Sequence, residues 1–263
     1  MTPTPRLIAF DLDDTLAPSK SPLEPEMAEL LIRLLDQVEV CVISGGQIGQ
    51  FRSQVIDRLG EATDAQLERL HLMPTCGTQY FRFTHGEWTQ VYAQNLSEEE
   101  RQRALAVVEA KAKALGYWES ETWGPILEDR GSQVTFSALG QAAPVAAKTA
   151  WDPTGEKKNA LRDAVQAELL DLEVRSGGST SIDITRRGID KAYGMKRLAE
   201  VADVALDDML FIGDRLDENG NDYPVKALGV ACIEVRGWEH TIVILDDLLH
   251  DLNVGVLERT RSA

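Results

Sequence analysis

Short apolar runs alternate along the chain with segments whose apolar residues recur every three or four positions. Leu7–Phe10 and Val38–Ile43 have the pattern of strands that are buried on both faces. Each run precedes a segment with helical spacing, and the apolar positions of the two segments are Met27, Leu30, Leu31, Leu34 and Leu35, then Ile48, Phe51, Val55 and Leu59. This β-α-β-α order predicts a parallel sheet with helices on its faces.

The order of elements changes near residue 80. Tyr80–Trp88 contains a turn between two short predicted strands. Ser97 and Glu100 have the spacing of a capping box that opens a long helix, and Gly116 ends it. Further predicted elements are strands at Gln133–Ala138, Leu172–Arg175 and Ser181–Thr185, and a helix from about Thr154 to about Leu170. We therefore expect residues 86–186 to form a separate α+β domain.

The β/α pattern then returns and continues to the closing helix. A helix is predicted from Lys191, strands at Met209–Ile212 and Val230–Val235, and a last helix through Ile242–Leu252. The predicted fold class is therefore α/β, with a Rossmann-like parallel-sheet core assembled from residues 1–85 and 187–263. The α+β domain at 86–186 is an insertion in that core. A chain of 263 residues is long enough for both.

The charge balance limits the choice of partners. The chain has 43 acidic and 27 basic residues and a net charge of −16, which disfavours nucleic acids and anionic membrane surfaces. The sequence contains no apolar run near the about 20 residues that a membrane span needs, so we expect a cytoplasmic protein. Cys41, Cys76 and Cys232 lack the C-x-x-C spacing of a zinc site and are expected to be buried free thiols.

Two acids follow the first strand directly. Asp11 and Asp13 lie in the sequence D-x-D-x-T-L, at the end of the run where ligands of parallel sheets gather. Asp11 is the candidate nucleophile, because a carboxylate can accept a phosphoryl group and divide one difficult step into two. Asp13 is the candidate proton donor and acceptor. A polar turn after a strand is the alternative interpretation of two such acids taken alone.

Two further elements suit an anionic phosphorus centre. Ser44 and Gly45, which follow the second strand, offer a hydroxyl and backbone N–H groups at a helix start, where phosphate binds well. Lys191 begins a helix, where the helix dipole favours acids, so a role in neutralising phosphate and carboxylates is the more informative interpretation. Taken singly, an ordinary turn and a solvated lysine are the alternatives.

The fourth element is an acidic loop after the strand at Met209–Ile212. Asp214 is expected to hold Mg²⁺ together with Asp11 and Asp13, since magnesium prefers carboxylate oxygens and retains water. Asn221 and Asp222 are expected to support this loop or to hold metal-bound water. The alternative is an Asx-rich turn without metal.

In this combination the four elements resemble the motifs of the haloacid dehalogenase superfamily, and the insertion after the second motif resembles the branch with the larger α/β cap. Within that branch the chain is similar to the eukaryotic-type phosphomannomutases. The segment Glu128–Gly131 resembles the one that supplies a phosphate-binding arginine, here Arg130. The segment Ser176–Asp183 resembles a cap strand on which a serine and an aspartate, here Ser181 and Asp183, meet the sugar phosphate.

The chain departs from that family at three basic positions. Gln141 stands where the family has a second arginine, Lys148 where it has a third, and Lys20 where it has an arginine soon after the first motif. Lysine provides a point charge and glutamine none, whereas arginine grips phosphate with a planar fork. These departures predict a weaker phosphate clamp in the cap and leave the core chemistry unaffected.

The resemblance implies a Mg²⁺-dependent phosphotransferase that interconverts the 6- and 1-phosphates of mannose or a related hexose. It also implies a hexose bisphosphate activator and a homodimer formed through the cap. A sugar-phosphate phosphatase on the same scaffold is the open alternative, because a phosphatase needs only water at the phosphorylated aspartate. A non-catalytic sugar-phosphate-binding protein is a third alternative, against which the intact Asp11, Asp13, Lys191 and Asp214 count.

Overall fold

The computed structural model describes residues 5–261, and the side chains of residues 5–252. The strands are β1 (Leu7–Phe10), β2 (Glu39–Ile43), β3 (Leu70–Met73), β4 (Gln79–Thr84), β5 (Glu87–Ala93), β6 (Leu127–Asp129), β7 (Gln133–Ser137), β8 (Leu172–Ser176), β9 (Ser181–Arg186), β10 (Met209–Gly213) and β11 (Ala231–Glu234). The helices are α1 (Pro25–Leu35), α2 (Ile48–Gln54), α3 (Asp64–Leu67), α4 (Glu98–Ala114), α5 (Val145–Trp151), α6 (Glu156–Gln166), α7 (Lys191–Ala202), α8 (Tyr223–Ala227) and α9 (Trp238–Arg261).

The larger sheet of the described residues has the strand order β11-β10-β1-β2-β3-β4-β5. Pairing is parallel from β11 to β3, and β4 is antiparallel to β3. The predicted α/β class is therefore confirmed. Strand β3 was not predicted, because the four-residue run Leu70–Met73 includes the polar His71 and is too short to show a period.

Helices cover both faces of this sheet, which explains the continuous apolar runs in its central strands. On one face, Phe10 and Val42 belong to a buried cluster that includes Leu31 of α1 and Leu245 of α9. On the other face, the cluster includes Ala9, Ile43 and Phe211 from the strands, Met195 and Leu198 from α7, and Val225 from α8. Because both faces are buried, polar side chains are left mainly to the loops at the strand ends.

A second compact unit, the middle unit, spans Ala93–Ile189; the large unit comprises the residues before and after it. Its sheet has the order β6-β7-β9-β8, antiparallel throughout. One face is apolar and packs with α4 and α6 through residues that include Val134, Phe136, Ile182, Ile184, Val108 and Leu161. The alternate positions form what we call the polar face: Gln133, Thr135, Ser137, Ser181 and Asp183. Alternation of this kind is expected for an antiparallel sheet with one core-facing side.

The boundaries between the two units lie at other residues than the predicted domain limits of 86 and 187. They lie between Tyr92 and Ala93 and between Ile189 and Asp190. The first differs because β5, which begins at Glu87, joins the edge of the larger sheet beside β4. A hairpin signal locates two strands but does not say which sheet receives the second one.

Several local elements also differ from the prediction. Helix α2 ends at Gln54, and a 3₁₀ turn follows at Ile56–Arg58, where one helix was predicted through Leu59. Helix α5 was not predicted. The capping box of Ser97 and Glu100 is confirmed. Of the cysteines, Cys41 is buried, whereas Cys76 and Cys232 are only half-buried; all three are free thiols. Among the described residues, every helix is too short or too polar to cross a membrane.

The loop after β3 lies between α7 and the loop that contains Ser44 and Gly45, the predicted phosphate-binding residues. Thr75, Cys76 and Gly77 all have positive φ angles, of 50°, 55° and 83°. The backbone N–H of Thr75 donates to the Gly46 carbonyl oxygen, and that of Cys76 to the Ser44 carbonyl oxygen, at 2.9 Å each. A Cβ built on Gly194 of α7 would lie 2.7 Å from the Cys76 carbonyl oxygen. The absence of a side chain at Gly194 therefore allows loop and helix to approach each other.

We predict that Gly194→Ala lowers the free energy of unfolding by about 1–3 kcal/mol, because a methyl group must displace the loop backbone. Chemical denaturation measures this change. Gly49→Ala is the matched control: it also lies within a helix, and a Cβ there meets no atom within 4 Å. The control should gain up to about 1 kcal/mol from reduced chain entropy. Equal gains in both variants would contradict the close approach.

Candidate active site

Three neighbouring strands of the larger sheet end in the predicted functional residues. Asp11 follows β1, Ser44 follows β2, and Asp214 follows β10, and the strands lie in the order β10-β1-β2. Because these strands are parallel, their carboxyl ends share one edge of the sheet. Asp11 and Ser44 are buried, with exposed fractions of 4% and 5%, while Asp214 is half-buried.

A buried ammonium group lies at the centre of this edge. The Nζ of Lys191 is 2.5 Å from Asp11 Oδ1 and 2.5 Å from Asp222 Oδ1, and the lysine side chain is 1% exposed. Lys191 is the first residue of α7, as predicted, and the Asp190 side chain caps that helix by accepting from the Tyr193 N–H. Since burial of an unpaired charge costs several kcal/mol, the two carboxylates and the lysine depend on one another.

Asp11 and Asp214 have unusual proton affinities. Burial raises the pKa of Asp11 to about 8; Lys191 acts to lower it, while the negative charges of Asp222 and Asp214 raise it further. Burial and the charge of Asp222 likewise raise the pKa of Asp214. Burial acts to lower the pKa of Lys191, but Asp11 and Asp222 together hold it above its ordinary value. The site therefore contains more negative charge than its one lysine offsets.

Three of these carboxylates are close enough to share a cation. Asp11, Asp214 and Asp222 each offer an oxygen, and the three oxygens lie within 4.8 Å of one another. Oxygen donors of this kind suit Mg²⁺. A divalent cation would also offset the repulsion that raises the pKa values of Asp11 and Asp214. The residues present therefore fit a magnesium ion.

Asp222 has a larger part in this arrangement than the sequence indicated. Its buried carboxylate also accepts from the Arg215 backbone N–H at 3.2 Å. A Cβ on Gly213 would lie 2.3 Å from Asp222 Oδ2, so glycine is needed where the strand ends. Thr15 Oγ1 donates to Asp214 at 3.3 Å, and Asn221 lies exposed in the same loop. The predicted role of Asp222 was to support the loop or to hold metal-bound water, because spacing alone does not show that the loop folds back on Lys191.

Asp13 lies in different surroundings from those three carboxylates. Its oxygens accept from the Lys20 backbone N–H at 2.8 Å, Lys20 Nζ at 2.6 Å, Gln50 at 3.0 Å and Gln54 at 3.3 Å. Burial raises its pKa, but Lys20 and Gln50 outweigh that effect and hold the pKa below its ordinary value. The side chain of Asp13 is thus outside the group that fits magnesium, and its role as a metal ligand stays a prediction.

Gln50 and Gln54 were not among the predicted site residues, although both donate hydrogen bonds to Asp13. They lie four residues apart, so that they share one side of the helical segment that follows the Ser44 loop. Gln54 is 2% exposed and also donates to the Ser21 carbonyl oxygen at 2.6 Å. The signal available in the sequence was the pair of glutamines four residues apart in the segment after Ser44.

In the middle unit, the predicted phosphate clamp is engaged in internal contacts. Arg130 forms an ion pair with Glu128 at 2.6 Å, and the arginine side chain is 7% exposed. Gln141 donates to Ser137 Oγ at 2.6 Å, and Lys148 donates to the Gln141 carbonyl oxygen at 3.0 Å. Gln141 and Lys148 are thus brought together, with Arg130 in a separate ion pair.

The predicted sugar-binding pair lies on the polar face. Ser181 Oγ is 3.0 Å from Ser137 Oγ, which links it to Gln141. Asp183 Oδ1 accepts from Gln133 and from Thr135, each at 2.7 Å. Ser181 and Asp183 are neighbours on one side of β9, because alternate residues of a strand share a face.

Comparison with known proteins shows the family to which this chain belongs. The family model for eukaryotic phosphomannomutase matches residues 27–251. Phosphomannomutase 1 of Mus musculus is 23% identical over 226 residues, with 84% of this chain and 83% of the relative covered. Phosphomannomutase of Encephalitozoon cuniculi is 23% identical over 267 residues, with 96% of each chain covered. The chain belongs to the eukaryotic phosphomannomutase family, which is a family of enzymes.

Solved structures share the fold at low sequence identity. A haloacid dehalogenase-like hydrolase from Bacteroides thetaiotaomicron is 16% identical with a TM-score of 0.61, covering 93% of this chain and 100% of that chain. IMP-nucleotidase of Plasmodium falciparum is 14% identical with a TM-score of 0.69, covering 94% and 68%. These similarities concern the fold.

We predict that Lys191→Met lowers the free energy of unfolding by about 3–5 kcal/mol, because it leaves Asp11 and Asp222 buried without their cation. Urea denaturation at neutral pH provides the measurement. Lys196→Met, at an exposed position of the same helix, is the control and should change stability by no more than about 0.5 kcal/mol. Similar small effects in both variants would argue against mutual dependence of the buried charges.

Proposed function

We propose that this protein catalyses Mg²⁺-dependent phosphoryl transfer on a hexose phosphate, through a phosphorylated Asp11, in a phosphomannomutase-like reaction. The observation that carries the proposal is the buried Lys191 between Asp11 and Asp222 at the carboxyl edge of the sheet. Membership in the phosphomannomutase family gives the substrate class. A phosphorylated sugar is thus the proposed substrate.

In the proposed first step, an Asp11 carboxylate oxygen attacks phosphorus and the bond from phosphorus to the sugar oxygen breaks. Asp13 gives a proton to that leaving oxygen. In the second step, a sugar hydroxyl attacks the phosphorylated Asp11, Asp13 takes the hydroxyl proton, and the carboxylate is restored. Lys191 and the backbone N–H groups after Ser44 offset the charge of the phosphoryl oxygens.

Asp11, Asp214 and Asp222 are the residues that would hold Mg²⁺. When bound, the ion supplies positive charge that keeps the nucleophile ionised and polarises the phosphoryl group. The high pKa of Asp11, about 8 among protein groups alone, supports this requirement, because a protonated carboxyl is a poor nucleophile. Lys20 and Gln50 favour the ionised form of Asp13, which suits its second-step role of taking the hydroxyl proton, whereas the first step requires Asp13 in its protonated form.

We assign sugar recognition to the polar face of the middle unit, with Ser181 and Asp183 meeting sugar hydroxyls and Arg130 and Lys148 the distal phosphate. A sugar-phosphate phosphatase is the second candidate. The uncharged Gln141 and the Glu128 ion pair of Arg130 favour it, since both weaken a distal clamp. A hexose bisphosphate activator, a homodimer and a cytoplasmic location stay predictions.

The test is a phosphorus NMR time course with mannose 1-phosphate, Mg²⁺ and a trace of hexose bisphosphate. We expect a 6-phosphate signal to grow while total ester stays constant, and removal of Mg²⁺ with a chelator to abolish this growth. Asp11→Asn should abolish transfer, because an amide cannot form the phosphorylated intermediate. Asp36→Asn, at an exposed position, is the control and should behave as the wild type.

Other results would change the assignment. Growth of inorganic phosphate at the expense of total ester would identify a phosphatase instead of a mutase. Phosphoryl transfer that survives Asp11→Asn would refute the nucleophile, and a lack of turnover on any phosphoester would favour a binding protein.

We also predict that Gln141→Arg raises the ratio of hexose 6-phosphate to inorganic phosphate, by about two- to tenfold, because a guanidinium grips phosphate with two parallel hydrogen bonds. Gln141→Met is the control, since it removes the bond to Ser137 without adding charge. Product ratios from the same NMR time course decide the question. An equal change in both variants would attribute the effect to the lost bond.

A further inference from the structure

The carboxylate of Asp183 is held through one of its two oxygens. Gln133 Nε2 and Thr135 Oγ1 both donate to Oδ1, at 2.7 Å each, and Gln133 Nε2 also lies 2.9 Å from Thr135 Oγ1. Gln133 and Thr135 are 2% and 1% exposed, so water has little access to replace either donor. Two buried donors on one oxygen fix the rotation of the carboxylate.

The other oxygen, Oδ2, has no hydrogen-bond partner within the part of the chain that the structure describes, and Asp183 is half-buried. Gly177 keeps the space beside it open: a Cβ there would lie 2.9 Å from Asp183 Oδ2 and 3.3 Å from Ser181 Cβ. The Gly177 N–H does not fill that space either, because it donates to the Ser181 carbonyl oxygen. An acceptor with one open side is the result.

The chemistry of this acceptor selects its ligand. A carboxylate oxygen accepts a hydrogen bond from a hydroxyl but repels a phosphate. The Ser181 hydroxyl lies on the same side of β9, so a ligand with more than one hydroxyl group can engage both residues. The uncharged, hydroxyl-bearing part of a sugar phosphate fits, and the phosphate itself does not.

We infer that Gln133 and Thr135 are positioning residues, which turn Asp183 so that its Oδ2 accepts from a hydroxyl of the hexose. This inference rests on the proposed function. It concerns how the ring hydroxyls of the proposed substrate are bound, and not how its phosphate is bound. Neither residue need touch the substrate.

The chain offers a closely matched pair of variants to test this inference. Thr135 and Thr185 lie on the same side of the same sheet, and Thr185 is 5% exposed. The Thr185 hydroxyl has no hydrogen-bond partner within the described residues, whereas the Thr135 hydroxyl bonds Asp183. Thr135→Val and Thr185→Val each replace a hydroxyl by a methyl group, but only the first removes one of the two donors to Asp183.

Binding is measured by calorimetry in the Asp11→Asn background, where no turnover occurs, with mannose 1-phosphate and with inorganic phosphate as probes. Thr135→Val should raise the Kd of mannose 1-phosphate about tenfold, the effect of one hydrogen bond to a charged group. It should leave the Kd of inorganic phosphate unchanged, and Thr185→Val should change neither. Thr135→Ser keeps the hydroxyl and should restore most of the affinity.

Gly177→Ala is a second variant, which places a methyl group beside Oδ2 without touching either donor. It should also weaken the binding of mannose 1-phosphate but not that of inorganic phosphate. This variant keeps the inference testable if Thr135→Val does not fold. Equal Kd values for Thr135→Val and Thr185→Val, or equal losses for both probes, would overturn the inference and leave the proposed function intact. If the parent Asp11→Asn protein and the wild type bind and turn over no hexose phosphate, the proposed function fails and the inference with it.

Discussion

A lysine ammonium buried between two aspartates is the interaction on which the rest of the large unit depends. Lys191 is 1% exposed, and its transfer from water to this place is costly unless Asp11 and Asp222 are both at hand. These three residues come from the first strand, the start of α7 and the loop after β10, and their ion pairs fix those elements to one another. Gly213 follows from this constraint, since a Cβ there would lie 2.3 Å from Asp222 Oδ2.

The same edge of the sheet gives two nearby acids opposite properties. Asp11 is crowded by Asp222 and Asp214, and burial raises its pKa to about 8. Asp13, two residues later, has Lys20 and Gln50 as donors, and these outweigh its burial and lower its pKa. Among the protein groups alone, this difference is the reverse of the proposed roles, in which Asp11 is the ionised nucleophile and Asp13 the proton donor. The proposed Mg²⁺ beside Asp11 would favour the ionised form of that carboxylate.

In the middle unit, the buried side chains of the polar face are paired by hydrogen bonds instead of ion pairs. Its sheet turns apolar residues toward α4 and α6 and leaves a polar face whose side chains are nonetheless largely buried. Buried polar groups need partners, and Gln133 and Thr135 find theirs in Asp183, as Gln141 and Ser181 do in Ser137. A network of this kind is rigid, which suits recognition of hydroxyl groups more than a strong grip on phosphate.

The sequence by itself determined the fold class, the order of most strands and helices, and the residues at the ends of β1, β2 and β10. Local periodicity and the D-x-D motif are sufficient for these, because parallel strands must end at a common edge. Only the tertiary structure decided that β3 completes the sheet, that β5 joins it, and that Asp222 folds back onto Lys191. It also decided the partners of Asp13 and Asp183. These depend on pairs such as Asp13 with Gln54 and Thr135 with Asp183, which lie 41 and 48 residues apart, and no local pattern encodes contacts over such separations.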